Sequence, residues 1–417
     1  MFSHGLRSSV HAARTAKLLT RFGLDLRRSA ALVDTGAVSK TVRRVLIYRL
    51  GSLGDQVVAL PSLHLVRRSF PQAGLCMLTN FPVSGKAPAA AAILDPELIQ
   101  GYVRYVVGLR NPLELVRLWA AIRRLRPDVV VYLAGARGVK VAKRDAWFFR
   151  LCGVRRLIGV PDTEDLQQNR LLDGGGRYES EAARLARTLE SLGDARLESP
   201  RSWDLWLGDG ERERAGQALE PAGGRPVIAV SIGTKQQTND WGAERWRALL
   251  GRLGALLPGY ALVLNGAADE REASDAIAEG WRGANSGPVL NLCGQLTPRE
   301  SAAAFAQARV FVGHDSGPMH LAAAVQTPCV AIFSARQKPG VWFPHGAQHR
   351  VIYHQTDCWN CGLTVCVAEG KRCIYSIAVD EVVGAVLGAL GMGGLVAVDG
   401  MGATGATAAT EADPLRG

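Results

Sequence analysis

Two short segments put a carboxylate beside glycines at the point where an apolar strand runs out. The first is Arg49-Leu50-Gly51-Ser52-Leu53-Gly54-Asp55, after the run Val45–Tyr48; the second is Gly313-His314-Asp315-Ser316-Gly317-Pro318-Met319-His320, after Val310–Val312. In an open α/β sheet, ligands bind at the carboxyl ends of strands, where helix N-termini present unpaired N–H groups and a partial positive charge. Asp55 is placed to take a proton from a hydroxyl. The N–H groups of Ser316, Gly317 and Met319, with the Ser316 hydroxyl, are placed to hold a diphosphate. Pro318 fits the first helical position, and Gly317 lets the backbone come close to a ligand. Both segments have a plainer reading, in which Asp55, or Asp315 with Ser316, only caps a helix.

The elements that must position these groups alternate between strand and helix. Val45–Tyr48 reads as a buried strand, followed by a helix from near Asp55 that Pro61 either kinks or reopens, with Leu63, Val66 and Phe70 facing inward. The strand Leu75–Leu78, a helix over Leu113–Leu125 and the strand Val129–Leu133 continue the pattern. Periodicity weakens between Gly174 and Gly224, apart from a helical Glu181–Leu192, and the break Pro221-Ala222-Gly223-Gly224 marks a junction. A second series follows: strands Val227–Ser231, Ala261–Asn265, Val289–Cys293, Val310–Gly313 and Cys329–Phe333, with helices from about Ala243, Asp269, Pro298 and Pro318, and a last helix over Asp380–Leu390. Such alternation predicts parallel sheets wrapped by helices. The expected division is an N-terminal extension (1–40), two Rossmann-like domains (41–222 and 223–390) and a disordered tail (391–417) rich in Gly, Ala and Thr.

A length of 417 residues, 47% hydrophobic and 21% charged, fits a globular protein of two or three domains. A net charge of +11 points to nucleic acid, an anionic membrane surface or a phosphorylated substrate. The absence of any zinc-finger, ribonucleoprotein or helix-turn-helix signature argues against nucleic acid. No run approaches the roughly 20 apolar residues of a membrane span, and no secretory signal is evident, so cytoplasmic residence is expected. Residues 1–40 carry seven Lys/Arg against two Asp, with Leu18, Phe22 and Leu26 at helical spacing. They read either as a basic amphipathic helix on the inner face of an anionic membrane or as a solvated leader.

Asp315-Ser316-Gly317-Pro318-Met319-His320-Leu321-Ala322-Ala323-Ala324, followed by Thr327-Pro328, resembles the signature of the bacterial heptosyltransferase family, glycosyltransferase family 9. The segment Arg49–Asp55, followed by Leu60-Pro61, resembles that family's N-terminal signature, and the likeness runs over roughly residues 43–390. It implies a GT-B architecture, two Rossmann-like domains around a cleft, the first binding the acceptor and the second a nucleotide-diphosphate sugar. It also implies inverting, metal-independent transfer, usually of heptose from ADP-heptose to the lipopolysaccharide inner core or to another lipid-linked or protein-linked acceptor. Asp55 would then be the base. Lys235 and Arg49 are the cations for the leaving diphosphate, with Ser52 and Gly54 beside the acceptor or phosphate. Glu270 stands where the family places an acid on the nucleotide ribose. His320 faces either ligand or core, and the loop Arg336–Pro344 would approach the donor. One departure is plain: relatives commonly have Lys two residues before the Trp of Thr238-Asn239-Asp240-Trp241, and this chain has Asn239.

Four of the eight cysteines, Cys358, Cys361, Cys366 and Cys373, fall within sixteen residues. They read as ligands of a structural zinc or iron, as reduced thiols, or as disulfides. No cofactor is expected for catalysis itself. Two other functions were weighed: a nicotinamide-dependent oxidoreductase, which the missing G-x-G-x-x-G spacing disfavours, and a membrane-peripheral nucleotide-binding scaffold without activity.

Overall fold

The computed structural model describes residues 42–80, 90–106, 111–172 and 176–392. The expected leader helix and the tail beyond Met392 lie outside the described residues. The chain builds β1 (Arg44–Tyr48), α1 (Leu53–Val58), α2 (Leu60–Ser69), β2 (Gly74–Asn80), β3 (Gly101–Tyr105), α3 (Pro112–Leu125), β4 (Val129–Tyr132), α4 (Val139–Leu151) and β5 (Arg156–Ile158). Three helices follow, α5 (Glu164–Gln167), α6 (Glu181–Thr188) and α7 (Asp209–Leu219). Then come β6 (Val227–Ser231), α8 (Ala243–Leu256), β7 (Ala261–Leu264), α9 (Arg271–Arg282), β8 (Val289–Asn291), α10 (Pro298–Phe305), β9 (Val310–His314), α11 (Gly317–Ala324), β10 (Cys329–Phe333) and β11 (Arg350–Tyr353). The helices α12 (Arg372–Tyr375) and α13 (Val379–Ala389) close the series.

Two parallel sheets result, ordered β3-β2-β1-β4-β5 and β11-β10-β9-β6-β7-β8. Strand order reverses between β1 and β4 in the first and between β6 and β9 in the second, and such switch points open a crevice at the strands' carboxyl ends. The loops after β1, β6 and β9 therefore carry Asp55, Lys235 and Asp315 into crevices that the topology itself creates.

Alternate residues of each strand face opposite layers, as a sheet's period of two requires. Leu46, Tyr48 and Val130 turn toward α3 and α4, packing with Leu118, Ile122 and Phe149. Val45, Ile47 and Val131 turn the other way, into a cluster that also holds Phe305, Phe311, Met319 and Phe333 of the second half. The two sheets thus share one apolar layer. Helix α7, which precedes the expected junction at 222, packs its Ala215 and Leu219 with Val227, Ala261 and Ala303 of the second half.

Several elements escape sequence periodicity. β3, β5 and β11 are short edge strands, and α4 exposes Trp147, which blurs its amphipathic pattern. Of the two readings at Pro61 the reopening holds: the first helix ends at Ala59, and Pro61 lies in the first turn of α2. Pro318 is the second residue of α11, not the first, because Ser316 is the N-cap and Gly317 begins the helix. Among the described residues no helix is long and apolar enough to cross a membrane.

Arg299 on α10 ties the two halves together. Its guanidinium is buried and donates to the carbonyls of Ile93 (3.2 Å), Leu205 (2.8 Å) and Trp206 (2.8 Å), while pairing with Asp95 (3.0 Å) and Glu211. Removing a buried partner leaves the others desolvated and unpaired. Arg299→Leu is expected to cost about 3 kcal/mol of stability, read as a lower urea midpoint at pH 7; an unchanged midpoint would show that the clamp contributes nothing.

Candidate functional site

The loop after β1 is folded around Gly51. Its φ is +141°, and a Cβ there would stand 2.3 Å from the Asp55 Cβ, so only glycine lets the loop turn back against Asp55. Asn80, the last residue of β2, grips this glycine from both sides: its Oδ1 accepts the Gly51 N–H (2.7 Å) and its Nδ2 donates to the Gly51 carbonyl (3.2 Å).

Asp55 is the third residue of α1 and closes a capping box. Its Oδ2 accepts from the N–H (2.7 Å) and the hydroxyl (3.0 Å) of Ser52, the N-cap. The capping reading is therefore realised through Oδ2, and the Asp55 side chain stays 31% exposed. Arg49 lies behind it. Its Nη1 donates to the Leu133 carbonyl (2.8 Å), its Nη2 donates to the Asp55 carbonyl, and Nη2 stands 3.9 Å from Oδ1. At 1% exposure Arg49 touches neither acceptor nor phosphate, which corrects its expected role. Burial lowers its pKa and Asp55 opposes the shift. Arg49 is a positioning residue for Asp55.

Across the cleft, α11 meets α1 directly. A Cβ on Gly54 would lie 2.9 Å from His320 Cδ2, and one on Gly317 would lie 2.8 Å from Leu53 Cδ2. The helix contact gives Gly317 a packing reason of its own, beside the expected approach of a ligand. Met319 is fully buried in the shared core, so only its backbone N–H can serve a ligand. His320 packs between Gly54 and Trp342 and lines a cavity of about 300 Å³ with Val57, Trp203 and His345. Burial pulls its pKa down to about 4, against the influence of Asp55, so its ring is neutral.

The start of α11 keeps the features of an anion cradle. Ser316 makes no cap hydrogen bond, and its buried hydroxyl has no partner. A helix N-terminus with an unused donor is suited to phosphate oxygens. Asp315, on the cleft floor, is crowded enough that burial raises its carboxyl to about 7, opposed by Arg336 and Asn239 and reinforced by Asp55. Lys235, in the loop after β6, reaches the same space: its surroundings lower its pKa while Asp55 raises it. Glu270 lies against Gly233 and Gly266 at the ends of β6 and β7, and its Oε2 accepts the Ala267 N–H at 2.9 Å.

Asn239 explains the departure at its position. It is buried, accepts the Ser334 hydroxyl (2.6 Å) and donates to the Asp315 carbonyl (3.3 Å), bracing the cradle loop against the end of β10. His314, fully buried, accepts from the Trp241 N–H and the Trp246 indole N–H, both at 3.2 Å on Nε2, and bonds the Ile232 carbonyl through Nδ1. The pattern requires the neutral Nδ1–H tautomer, and burial pulls the pKa to about 4.

The sequence reading missed Asn80, Arg137 and the cluster that Arg137 organises. Arg137, after β4, donates to the hydroxyls of Tyr48 (3.0 Å) and Tyr132 (2.9 Å) and to Asp145 (2.7 Å) at the first switch point. The usable signal was its place after β4, the strand beside β1.

The cysteine segment folds over the loops after β6 and β10. Leu363 accepts from Thr238 Oγ1 (3.0 Å) and Arg336 Nε (2.8 Å), and Asn360 N–H donates to Ala335 (2.7 Å). Cys358 contacts the Thr356 hydroxyl (3.5 Å), Cys366 accepts the Lys371 N–H (3.4 Å), and Cys361 is exposed. Among the described residues no three His, Cys, Asp or Glu side chains stand close enough to hold a metal ion, so the thiols as placed do not fit one. No catalytic step is routed through them.

Comparisons with known proteins bear on this site. Residues 182–371 match the family described as glycosyltransferase family 9 (heptosyltransferase). Over 344 residues the chain is 26% identical to lipopolysaccharide heptosyltransferase 1 of Pseudomonas aeruginosa, covering 78% of this chain and 88% of that one. A 124-residue stretch is 32% identical to lipopolysaccharide heptosyltransferase 3 of Escherichia coli, covering 30% of this chain and 36% of that protein. The fold is similar to that of E. coli ADP-heptose lipopolysaccharide heptosyltransferase II, with TM-score 0.55, 18% identity and coverage of 83% and 98%. The two-sheet arrangement is therefore the GT-B architecture.

The buried rings imply a pH dependence. His314, His320 and His349 each have a folded pKa near 4 against an ordinary 6.5, so the stability they contribute is complete above 6.5 and is lost as pH falls toward 4. Asp315 acts oppositely, since its raised pKa of about 7 makes its charge costly above the ordinary 3.8. With three rings against one carboxyl, the urea midpoint should fall between pH 7 and pH 5, and His314→Gln should flatten that fall. A midpoint that rises toward pH 5 would contradict the neutral assignments.

Proposed function

The chain belongs to glycosyltransferase family 9, the heptosyltransferase family, and from that premise we propose an inverting transfer of heptose from ADP-heptose to a saccharide hydroxyl of a lipopolysaccharide-type acceptor. The observation that supports it is the contact of α1 with α11, which brings Asp55 on α1 close to the start of α11 and within electrostatic reach of Lys235 and Asp315. The acceptor is assigned to the first sheet's crevice and the nucleotide sugar to the second.

In this reading Asp55 Oδ1 takes the proton of the acceptor hydroxyl, and that oxygen attacks the anomeric carbon from the face opposite the leaving group. The bond from the anomeric carbon to the diphosphate oxygen breaks, and the nucleoside diphosphate leaves with the electron pair. Charge develops at the diphosphate. The N–H groups that open α11, the Ser316 hydroxyl and the Lys235 ammonium answer it with donors and positive potential already in place. In this reading Ser52 engages Oδ2 through its N–H and hydroxyl and Arg49 braces the Asp55 backbone carbonyl, which leaves Oδ1 for the substrate hydroxyl. Glu270 is assigned to the nucleotide ribose. The chemistry uses groups of the chain alone, and its place of action is the cytoplasmic side, where nucleotide sugars are supplied.

A structural zinc or iron on Cys358, Cys361, Cys366 and Cys373 is a separate proposal, and since no three of these thiols stand close enough to hold an ion as placed, it requires the whole segment to close around the metal.

Two experiments bear on these assignments. Asp55→Asn should lower kcat by at least about 1,000-fold, while ADP-heptose still raises the melting temperature of the variant as it does that of the wild type. Turnover at wild-type rate removes Asp55 from the mechanism, whereas thermal shifts by GDP- or UDP-sugars alone would reassign the donor. Elemental analysis of the purified full chain should return about one zinc or iron per molecule, and a value near zero withdraws the metal.

A further inference from the structure

The outer surface of the first half carries apolar side chains where an ordinary helix pair carries polar ones. On α3, Leu113 is 65% exposed, Val116 58% and Trp119 39%; on α4, Trp147 is 41% exposed. Leu113, Val116 and Trp119 recur at intervals of three and share one face of α3, opposite the buried Leu118 and Ile122. The two helices lie side by side. The Trp119 indole N–H donates to the Leu151 carbonyl at the end of α4 (3.2 Å), and Trp147 lies one turn before Leu151 on that helix.

Cations far outnumber acids around these residues. On α3, Arg117, Arg123 and Arg124 are exposed on the same side as Val116, and Arg123 stacks over the Trp119 ring at 5.1 Å. On α4, Lys140, Lys143, Arg144 and Arg150 are exposed at helical spacing about Trp147. The acids of these two helices are already engaged: Glu114 pairs with Arg117, and Asp145 is buried with Arg137 and Arg144. Tryptophan in a field of arginine and lysine suits the boundary between lipid headgroups and acyl chains, where an indole buries its ring and cations meet phosphate.

We propose that this α3–α4 face docks on an anionic phospholipid bilayer. Charge complementarity selects the occupant. A water-soluble protein partner has no general need for so many cations about an aromatic pair, whereas each Lys or Arg near an anionic leaflet adds attraction. The site also has a useful location. Helix α4 starts directly after β4, at the carboxyl edge of the first sheet, so its basic first turns lie at the rim of the crevice assigned to the acceptor. The proposal stands on surface chemistry and does not rest on the identity of donor or acceptor.

Vesicle flotation of the purified full chain tests it, using about 30% phosphatidylglycerol in phosphatidylethanolamine against pure phosphatidylcholine. Wild type should float with the anionic vesicles and remain with the soluble fraction for the neutral ones, and its tryptophan emission should be quenched by brominated acyl chains. The combined variant Leu113→Ser, Val116→Ser, Trp147→Ser should lose about tenfold or more in vesicle affinity. Arg117→Glu with Arg124→Glu should lose a comparable amount and flatten the salt dependence. Far-ultraviolet circular dichroism and the melting temperature, expected near wild type because the replaced side chains are exposed, verify folding. Wild-type affinity in both variants would overturn the proposal and assign any lipid binding to another part of the chain. A wild-type chain that ignores anionic vesicles would overturn it as well. So would a dimer by light scattering that becomes a monomer in the serine variant without change in flotation, since the face would then bind a second copy.

Discussion

The contact between α1 and α11 is the constraint on which the site depends. Two glycines make it possible, each lying under a side chain of the opposite helix: Gly54 beneath His320, and Gly317 beneath Leu53. Packed interiors respond to a single added carbon by moving whole elements, because little free space exists to absorb it. Here the elements that would move carry Asp55 on one side and the unpartnered Ser316 hydroxyl at the start of α11 on the other. A carboxylate and a phosphate-binding helix end are common in proteins; what distinguishes this pair is a fixed separation set by helices in van der Waals contact.

Charge is distributed to suit that geometry. Two carboxylates, Asp55 and Asp315, feel each other across the crevice, and burial already raises the Asp315 carboxyl. Arg49 lies behind Asp55, Lys235 approaches from the loop after β6, and Arg336 opposes the rise at Asp315. Asn239, at a position where relatives commonly carry a lysine, is spent on holding the loop of Asp315 to Ser334. Lys235 is a cation that feels Asp55 here. Lys235 is attached to a different loop, so it approaches the crevice from another direction.

Much of this was legible in the residues. Strands that are continuous apolar runs, such as Cys329–Phe333 and Val227–Ser231, are bounded correctly because burial on both faces leaves little ambiguity. The placement of Asp55, Lys235 and Asp315 at strand ends follows from alternation alone. What the sequence hides are interactions set by tertiary approach. Arg49 reads as a cation available to ligand, yet two carbonyls and a carboxylate enclose it. Gly317 reads only as a door for phosphate, and the structure adds that it seats Leu53. Asn80, at the end of β2, and Arg137, in the loop after β4, belong to no motif and become meaningful only once β2 and β4 are known to flank β1. Edge strands such as β3 and β11 have one neighbour each and tolerate polar residues, so no period marks them.

The apolar layer common to both sheets bears on how such a protein can change over evolutionary time. Phe305, Phe311 and Met319 complete the packing of Ile47, Leu63 and Val131, so neither half presents a finished polar exterior where it meets the other. Exchanging one half between distant cousins would match two unrelated sets of interlocking hydrocarbon shapes. Diversification of sugar preference in a lineage built this way should therefore proceed by altering crevice loops in place, with the two lobes inherited as a single unit.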